Sequence, residues 1–313
     1  MILNLLTLET VNMEHAANQL SINKSRGAIK SRTESELSKY SLRIISLISL
    51  LLKEFPKKEF ILLKMKYIEG YIGVHGSSTR EAILKALHQL SETKYTFYNR
   101  GQFVGKYSYL LDYTYDKENA EVTLRLDLSA VDFLFDLKGG YAKLMWIYTF
   151  GMKSKYGQKL YELVVLESYR ADKTMVITIN DLRNMLGLQN KYENKNAFFE
   201  KVILAGIADV NNCTPYNISF TEYNKTLYFT ITEKNKEEIE LITQKLHNNK
   251  QIKEIIISYN EILLQSETKI SQEDYINKKN TVINTATEIG STIESAQLKL
   301  SKEEQKLIET NED

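Results

Sequence analysis

The alternation of hydrophobic and polar positions is clearest between residues 153 and 232. After Ser154, apolar residues recur with the 3.6-residue period of an amphipathic helix. The β-branched run at 175–179 predicts a strand, and the short helix after it is expected to begin with Asn180 as its N-cap. Gly187 stands where a left-handed C-terminal cap would end that helix. The first half of this stretch is therefore predicted to be helix, strand and helix.

A third helix and a hairpin complete the stretch. The buried side of the third helix is predicted to consist of Phe198, Phe199, Val202, Ile203 and Val210. Polar and apolar residues alternate over 218–223 and 227–231, as they do in half-buried strands, and Tyr223-Asn224-Lys225 is the expected hairpin tip. Three helices followed by a hairpin form the winged variant of the helix-turn-helix, in which the third helix can enter a DNA major groove.

The spaced residues of this stretch resemble the winged-helix replication initiators of iteron-containing plasmids. The matching residues are Ser154-x-Tyr156 at the start of a helix, Leu160-Tyr161-Glu162-Leu163, Leu182-Arg183-x-x-Leu186-Gly187, and Phe198-x-x-x-Val202-Ile203 followed by Asp209-Val210-Asn211-x-x-Thr214. The resemblance covers residues 154–231 well and the preceding region loosely. It implies two tandem winged-helix domains that bind repeated duplex DNA sites at an origin.

The same resemblance implies the partners of the chain. Initiators of this family bind double-stranded DNA at the repeated sites, called iterons, help to open the origin and recruit host replication proteins. They also tend to repress their own gene as dimers, so a homodimer is a further expectation. The implied location is the bacterial cytoplasm, in association with plasmid DNA. A transcriptional regulator without a replication role is the alternative, because the same fold serves both functions.

If two such domains exist, the first half of the chain should echo the second. An offset of 116 residues (154 − 38) sets Ser38-Lys39-Tyr40 opposite Ser154-Lys155-Tyr156. The same offset aligns apolar positions of a predicted helix after Arg80 with those of the third helix described above. The alignment is faint, but it supports two copies of one architecture.

The first copy has its own helix and strand signals. A helix is predicted to follow Ser38 and to end before Pro56. Ser78-Thr79-Arg80-Glu81 is a capping box, which predicts a helix from Arg80 onward. Three strands are predicted at 94–98, 107–115 and 121–128, and Arg100 and Lys106 are expected to lie on the wing. The runs 60–65 and 67–74 fit a strand or a helix equally well.

These patterns predict an α+β fold with two tandem winged-helix domains, each a helix-turn-helix with a β-hairpin wing, and a helical C-terminal tail. The predicted boundaries are a flexible leader at 1–35, domains at 36–140 and 141–232, and an acidic, partly disordered helical tail at 233–313. The leader could instead be a basic arm lying along DNA. The tail could bind a partner or pack back on the core, and Lys299–Asp313 is expected to be mobile.

The net charge of +1 hides an asymmetry between the two ends of the chain. Residues 1–110 hold 16 Lys and Arg against 9 Asp and Glu, whereas residues 233–313 hold 11 against 16. A basic surface attracts phosphates, and each neutralised phosphate releases counterions. The basic first half is therefore compatible with DNA binding, although charge alone does not require it.

The candidate DNA-binding residues are polar or cationic side chains on the predicted third helices, wings and helix starts. They are Arg80, Lys85, His88, Gln89, Arg100 and Lys106 in the first domain, and Lys153, Lys155, Lys191, Lys195, Asn196, Lys201 and Lys225 in the second. Arginine favours guanine and glutamine favours adenine in a major groove. The second domain departs from the family at its wing, where only Lys225 stands at the tip, and Glu200 and Asp209 are expected to weaken the positive field of the third helix.

Motifs for catalysis, metals and membranes are lacking in the sequence. There is no phosphate-binding Gly-x-x-x-x-Gly-Lys-Ser/Thr motif, the 4 His residues do not fall at metal-ligand spacing, and Cys213 is the single cysteine. No apolar run is long enough to cross a membrane. We therefore expect a non-enzymatic protein without cofactor or metal. An origin-nicking enzyme would need a His pair beside a nucleophilic Tyr, and the sequence offers no such pair.

Overall fold

The N-terminal segment is part of the folded protein. The structure, a computed structural model, describes residues 18–74, 77–99 and 102–267 together with residues 274, 276 and 277. Its first elements are β1 (Ser21–Ser25), α1 (Arg26–Ile29) and β2 (Arg32–Thr33). Ile22 and Ile29 are fully buried, and burial of apolar side chains holds the chain around them in place. The prediction of a flexible leader is therefore wrong for residues 18–35, and residues 1–17 lie outside the described residues.

The first winged helix begins with three helices and a strand. These are α2 (Lys39–Glu54), β3 (Phe60–Lys64), α3 (Met65–Ile72) and α4 (Ser77–Glu92). Ser38 caps α2, because its side chain accepts a hydrogen bond from the Ser41 backbone N–H. The two ambiguous runs are thus a strand followed by a helix. The predicted helix from Arg80 onward is confirmed as part of α4, but the helix already begins at Ser77, so the prediction of Ser78 as its N-cap is wrong.

Two hairpins follow α4, and only the second occupies the position of the wing. The strands are β4 (Tyr95–Asn99), β5 (Gln102–Tyr107), β6 (Leu110–Asp116) and β7 (Glu121–Leu126). β3, β7 and β6 form one antiparallel sheet, whereas β4 lies between β2 and β5 in another. The wing is therefore β6–β7 with its turn at 117–120. The prediction that Lys106 lies on the wing is wrong, and Arg100 lies outside the described residues.

A short connection joins the two winged helices. It contains α5 (Ser129–Leu134), a 3₁₀ turn (Leu137–Gly139), β8 (Tyr141–Met145) and a second 3₁₀ helix (Trp146–Gly151). β8 pairs with β1, so that Ser21 lies opposite Met145. This strand pair crosses the predicted boundary at residue 140, so that residues 141–145 pair with the N-terminal segment.

The second winged helix follows the predicted order closely. Its third helix, α8, is one helix composed of Lys195–Phe198, a wide π-helical turn at Phe199–Leu204, and Ala205–Cys213. The other elements are α6 (Lys155–Ser168), β9 (Thr174–Thr178) and α7 (Ile179–Leu186) before α8, and β10 (Tyr216–Tyr223) and β11 (Thr226–Glu233) after it. Gly187 ends α7 in the left-handed conformation, as predicted, with φ of 67°. The N-cap of α7 is Thr178, which accepts from the Asp181 N–H, so the prediction of Asn180 is wrong.

The two units repeat one topology. Ser38 and Ser154 cap equivalent helices, which confirms the offset of 116 residues at that point. Gly73 and Gly187 end equivalent helices in the left-handed conformation, with an offset of 114 residues (187 − 73). In both sheets the last strand lies in the centre, as the orders β3–β7–β6 and β9–β11–β10 show. The β4–β5 hairpin is an insertion in the first unit.

The tail packs back onto the first unit. After α9 (Lys236–Asn248), α10 (Lys250–Ser266) lies against α3 and β3. Ile255, Tyr259 and Ile262 of α10 are buried there. Packing back on the core is therefore the correct alternative for 250–266, while Lys299–Asp313 lies outside the described residues.

Candidate nucleic-acid interface

In the second unit, α8 lies along the hairpin with its N-terminus near the tip. The Lys195 ammonium is 2.6 Å from the Glu222 carboxylate, one residue before the end of β10. Near the other end, the Asn211 amide donates to the Ile218 carbonyl at 3.1 Å and accepts from the Ile218 N–H at 2.7 Å. The start of the helix and the tip of the wing therefore form one continuous edge.

This edge carries polar side chains that are free for a ligand. Asn196 and Lys201 on α8 are exposed and form no ion pair with any residue that the structure describes. Asn224 and Lys225 form the tip, both with positive φ (49° and 59°), as in a two-residue turn of the I′ type. The exposed Lys225 projects from this tip.

Asp209 does not contribute to the field at this edge. Its buried carboxylate accepts hydrogen bonds from the Lys153 and Ser154 backbone N–H groups at 2.9 and 2.6 Å. Burial raises the pKa of Asp209, against the effect of these two donors. The expectation that Asp209 weakens the field of α8 is therefore wrong, because the carboxylate faces the start of α6. The Lys153 side chain itself is exposed.

In the first unit, α4 presents fewer free groups than its sequence predicts. Lys85 and His88 are exposed. Arg80 is paired with Glu69 at 3.3 Å and keeps 43% of its side chain exposed. Gln89 accepts from the Ser41 hydroxyl at 2.7 Å, accepts from the Ser38 N–H and donates to the Glu36 carbonyl at 2.9 Å. The prediction that Gln89 reads a base is wrong in this structure, since it fastens α4 to the start of α2.

Lys155 and Lys191 belong to a contact between the two units. Both ammonium groups lie 2.7 Å from the Glu36 carboxylate, and the Tyr156 hydroxyl donates to the same carboxylate. Burial by itself raises the pKa of Glu36, but the hydrogen bonds from Lys155, Lys191 and Tyr156 give a net pKa below the usual value. We call these four residues the Glu36 cluster; it binds the N-terminal segment to α6 and to the loop after α7.

Further ion pairs, which the sequence patterns did not predict, join the N-terminal segment to the second unit. Lys24 lies 3.2 Å from Glu162, Lys30 lies 2.6 Å from Glu167, and Arg32 lies 2.9 Å from Asp181. Glu162 and Glu167 retain only 4% and 3% of their side-chain exposure. The signal in the sequence was the position of Glu162 and Glu167 on either side of the apolar run 163–166, because buried carboxylates require partners.

A small cavity lies within this contact. Its volume is about 50 Å³, and its lining includes Lys24, Glu36, Tyr156, Lys159 and Glu162. Burial lowers the pKa of Lys159 to about 8, although Glu162 opposes the shift. The volume suits one or two water molecules rather than an organic ligand.

Lys106 lies on the inserted hairpin, where its ammonium is 3.5 Å from the Glu34 carboxylate. Among the residues with described positions, no group of three His, Cys, Asp or Glu side chains is placed to hold a metal ion. No helix in the same part of the chain has the length and apolar character needed to span a membrane.

Comparisons with known proteins agree with this architecture. Residues 21–165 match the family described as "Initiator Replication protein, WH1", and residues 178–240 match the one described as "Initiator Rep protein, WH2". No sequence among the curated proteins matches the chain.

The chain also matches two solved structures. The crystal structure of the Pi initiator protein in complex with iteron DNA matches with a TM-score of 0.51 and 14% identity, over 72% of this chain and 100% of that chain. The structure of domains 2 and 3 of RctB matches with a TM-score of 0.41 and 12% identity, over 65% and 86% of the two chains. The chain belongs to the initiator Rep family, whose members are plasmid replication initiators with two winged-helix domains.

Proposed function

We propose that the protein binds repeated duplex sites, or iterons, at a plasmid origin in the bacterial cytoplasm, with α4 and α8 in successive major grooves. The observation that carries the proposal is the pair of equivalent third helices, each with free polar groups on its exposed side. Lys85 and His88 lie on α4, and Asn196 and Lys201 lie on α8. The similar fold of the Pi initiator, crystallised on iteron DNA, supports the same role here.

The proposed contacts divide into two kinds. Lys85, Lys201, Lys225 and Lys153 hold phosphates, which sets the register of the protein on DNA without reading sequence. Asn196 and His88 reach base edges, where an amide can pair with adenine. Binding to adjacent iterons then favours opening of the origin and brings host replication proteins to it. A dimer that represses the gene of the protein is part of the same proposal.

Footprinting across the DNA that flanks the gene, over a salt series, tests this function. We expect several regularly spaced protections that weaken steeply with salt, because each phosphate contact contributes a slope of about −0.9 in log K against log salt. Changing Lys85 and Lys201 together to Ala should reduce the magnitude of that slope by about 2. Lys236→Ala is the matched control, since its side chain is 90% exposed on α9, beyond the base of the hairpin.

The outcomes separate the alternatives. A single protected operator would favour a transcriptional regulator. Absence of protection at low salt would contradict DNA binding altogether. We also propose that the protein is not catalytic, so that supercoiled origin DNA stays intact when it is incubated with the protein and Mg²⁺; nicking that is lost on a Tyr→Phe change would contradict this part.

A further inference from the structure

The exposed side of α8 has an apolar centre. Leu204 is 49% exposed, and the exposed Ala208 lies one turn further along the same side. Lys201 and Glu200 lie one turn earlier, and Asn196 precedes them. Contact with an apolar group would remove this side chain from water, which is favourable, and the proposed function places the middle of this helix against DNA.

The π-helical turn in α8 brings these side chains into line. Lys195 and Lys201 are exposed on α8, and five further exposed positions recur at every fourth residue, namely Asn196, Glu200, Leu204, Ala208 and Asn212. In a regular α-helix with 3.6 residues per turn, a spacing of four drifts around the axis by about 40° at each step. The wider turn at Phe199–Leu204 advances by a smaller angle per residue and so cancels much of the drift. A straight ridge of side chains results, which can follow a groove.

The equivalent helix of the first unit lacks this feature. The exposed residues of α4 among those described are Ser78, Glu81, Lys85, His88 and Glu92, all polar or charged. No wide turn interrupts α4. The apolar centre therefore distinguishes the second recognition helix from the first.

We propose that Leu204, with Ala208 beside it, is a specificity-determining residue that contacts thymine methyl groups in the major groove. The C5-methyl group of thymine is the apolar feature that a major groove presents. The inference rests on the proposed function, in which α8 enters the groove. The half-site bound by α8 would therefore contain thymine opposite the middle of the helix. Asn196 and Lys201 would make polar contacts with the DNA on either side of this thymine.

The test begins with selection of binding sites from a randomised duplex library. In the selected site, each thymine is then replaced singly by deoxyuridine, which differs only by the missing methyl group. We expect one or two positions at which the replacement weakens binding by about fourfold, the effect of removing one buried methyl group. Other thymine positions should show little change.

Substitution of Leu204 identifies the contact. Leu204→Ala should bind the thymine site more weakly than the wild type and should lose the deoxyuridine effect at those same positions. Leu241→Ala is the matched control, because Leu241 is 51% exposed on α9 and should leave the deoxyuridine effect intact. Equal non-specific binding by both variants at low salt shows that they are folded.

The possible failures can be told apart. Deoxyuridine effects that persist unchanged in Leu204→Ala, or that are absent from the wild type, would overturn the role of Leu204 while DNA binding stands. A library that yields no enriched sequence, together with no binding to any duplex, would instead remove the proposed function and this inference with it.

Discussion

At the residue scale, two independent features of the structure require glycine at position 187. Its φ of +67° lies in the left-handed region, and a Cβ atom at this position would lie 2.2 Å from the Ser35 carbonyl carbon and oxygen. The first constraint belongs to the end of α7, and the second belongs to the contact with the N-terminal segment. A glycine that the sequence identifies as a helix cap is therefore also a contact point between the two units.

We expect Gly187→Ala to destabilise the protein strongly. The left-handed conformation alone costs about 1–2 kcal/mol for a residue with a Cβ, and the close approach to Ser35 adds to it. Thermal unfolding should show a fall in Tm of about 4 °C or more. Gly139→Ala is the control, since nothing lies within 4 Å of the added Cβ. Equal Tm values for the two variants would contradict the contact with Ser35.

Glu36 makes stability depend on pH. Its folded pKa lies below the ordinary value of 4.5 because the hydrogen bonds from Lys155, Lys191 and Tyr156 outweigh burial. The unfolded chain therefore takes up a proton first, so this carboxylate stabilises the protein above its unfolded pKa, and the stabilisation is lost as the pH falls through the lower folded pKa.

Glu36→Gln should therefore flatten the fall in Tm between about pH 5 and pH 3, and should lower Tm at neutral pH. Glu34→Gln is the control, because the Glu34 side chain is 80% exposed. The measurement is a series of thermal melts across this pH range. An unchanged acid limb in Glu36→Gln would show that the Glu36 cluster does not form.

At the element scale, α4 combines an anchoring side with a free side. Gln89 is bonded to the chain at the start of α2, while Lys85, one turn earlier, is exposed. Both residues are polar and lie on the same helix, so periodicity places them on one exposed surface. Only the position of α2 in three dimensions separates their roles.

Gln89→Ala should therefore affect the stability of the protein, whereas Lys85→Ala should affect its binding to DNA. Loss of the bonds to Ser38, Ser41 and Glu36 should lower the free energy of unfolding by about 1–3 kcal/mol, with little change in base preference. Lys85→Ala should leave stability within about 0.5 kcal/mol and weaken DNA binding. Urea unfolding and binding-site selection measure the two properties, and altered base preference in a fully stable Gln89→Ala would contradict the structural role.

At the scale of the whole molecule, the chain is fastened at both ends. The N-terminal segment pairs with α6 and α7 through ion pairs, and α10 returns from the second unit to pack on α3 and β3. A Cβ on Gly70 would lie 2.0 Å from the Ser258 hydroxyl oxygen, which shows how closely α3 and α10 approach. The two winged helices are thereby tied to each other at both ends of the described chain.

Ile262→Ala tests the contact of α10. Ile262 is fully buried, and its truncation should lower the free energy of unfolding by about 2–5 kcal/mol. Leu264 lies two residues further on the same helix, is 44% exposed, and should tolerate Ala with a change below about 0.5 kcal/mol. Chemical unfolding of both variants measures the difference. Comparable stability of the two would mean that α10 does not pack on the first unit.

Local patterns were sufficient for much of the second winged helix. The Ser154 cap, the end of α7 at Gly187 and the hairpin tip at Asn224-Lys225 were all predictable, because caps and turns depend on residues within a few positions along the chain. The N-cap of α7 was predicted two residues late, since Thr178 and Asn180 are both good caps and the backbone selects between them.

Long-range contacts decided the rest. The sequence by itself determined two copies of a winged helix and an exposed third helix in each, since periodicity is a property of neighbouring residues. Only the tertiary structure decided that Lys155 and Lys191 bind Glu36, that residues 18–35 are folded and that α10 returns to the first unit. A cation on a helix has the same sequence pattern whether it meets a phosphate or a carboxylate more than 100 residues away, and the folded chain alone brings that partner into place.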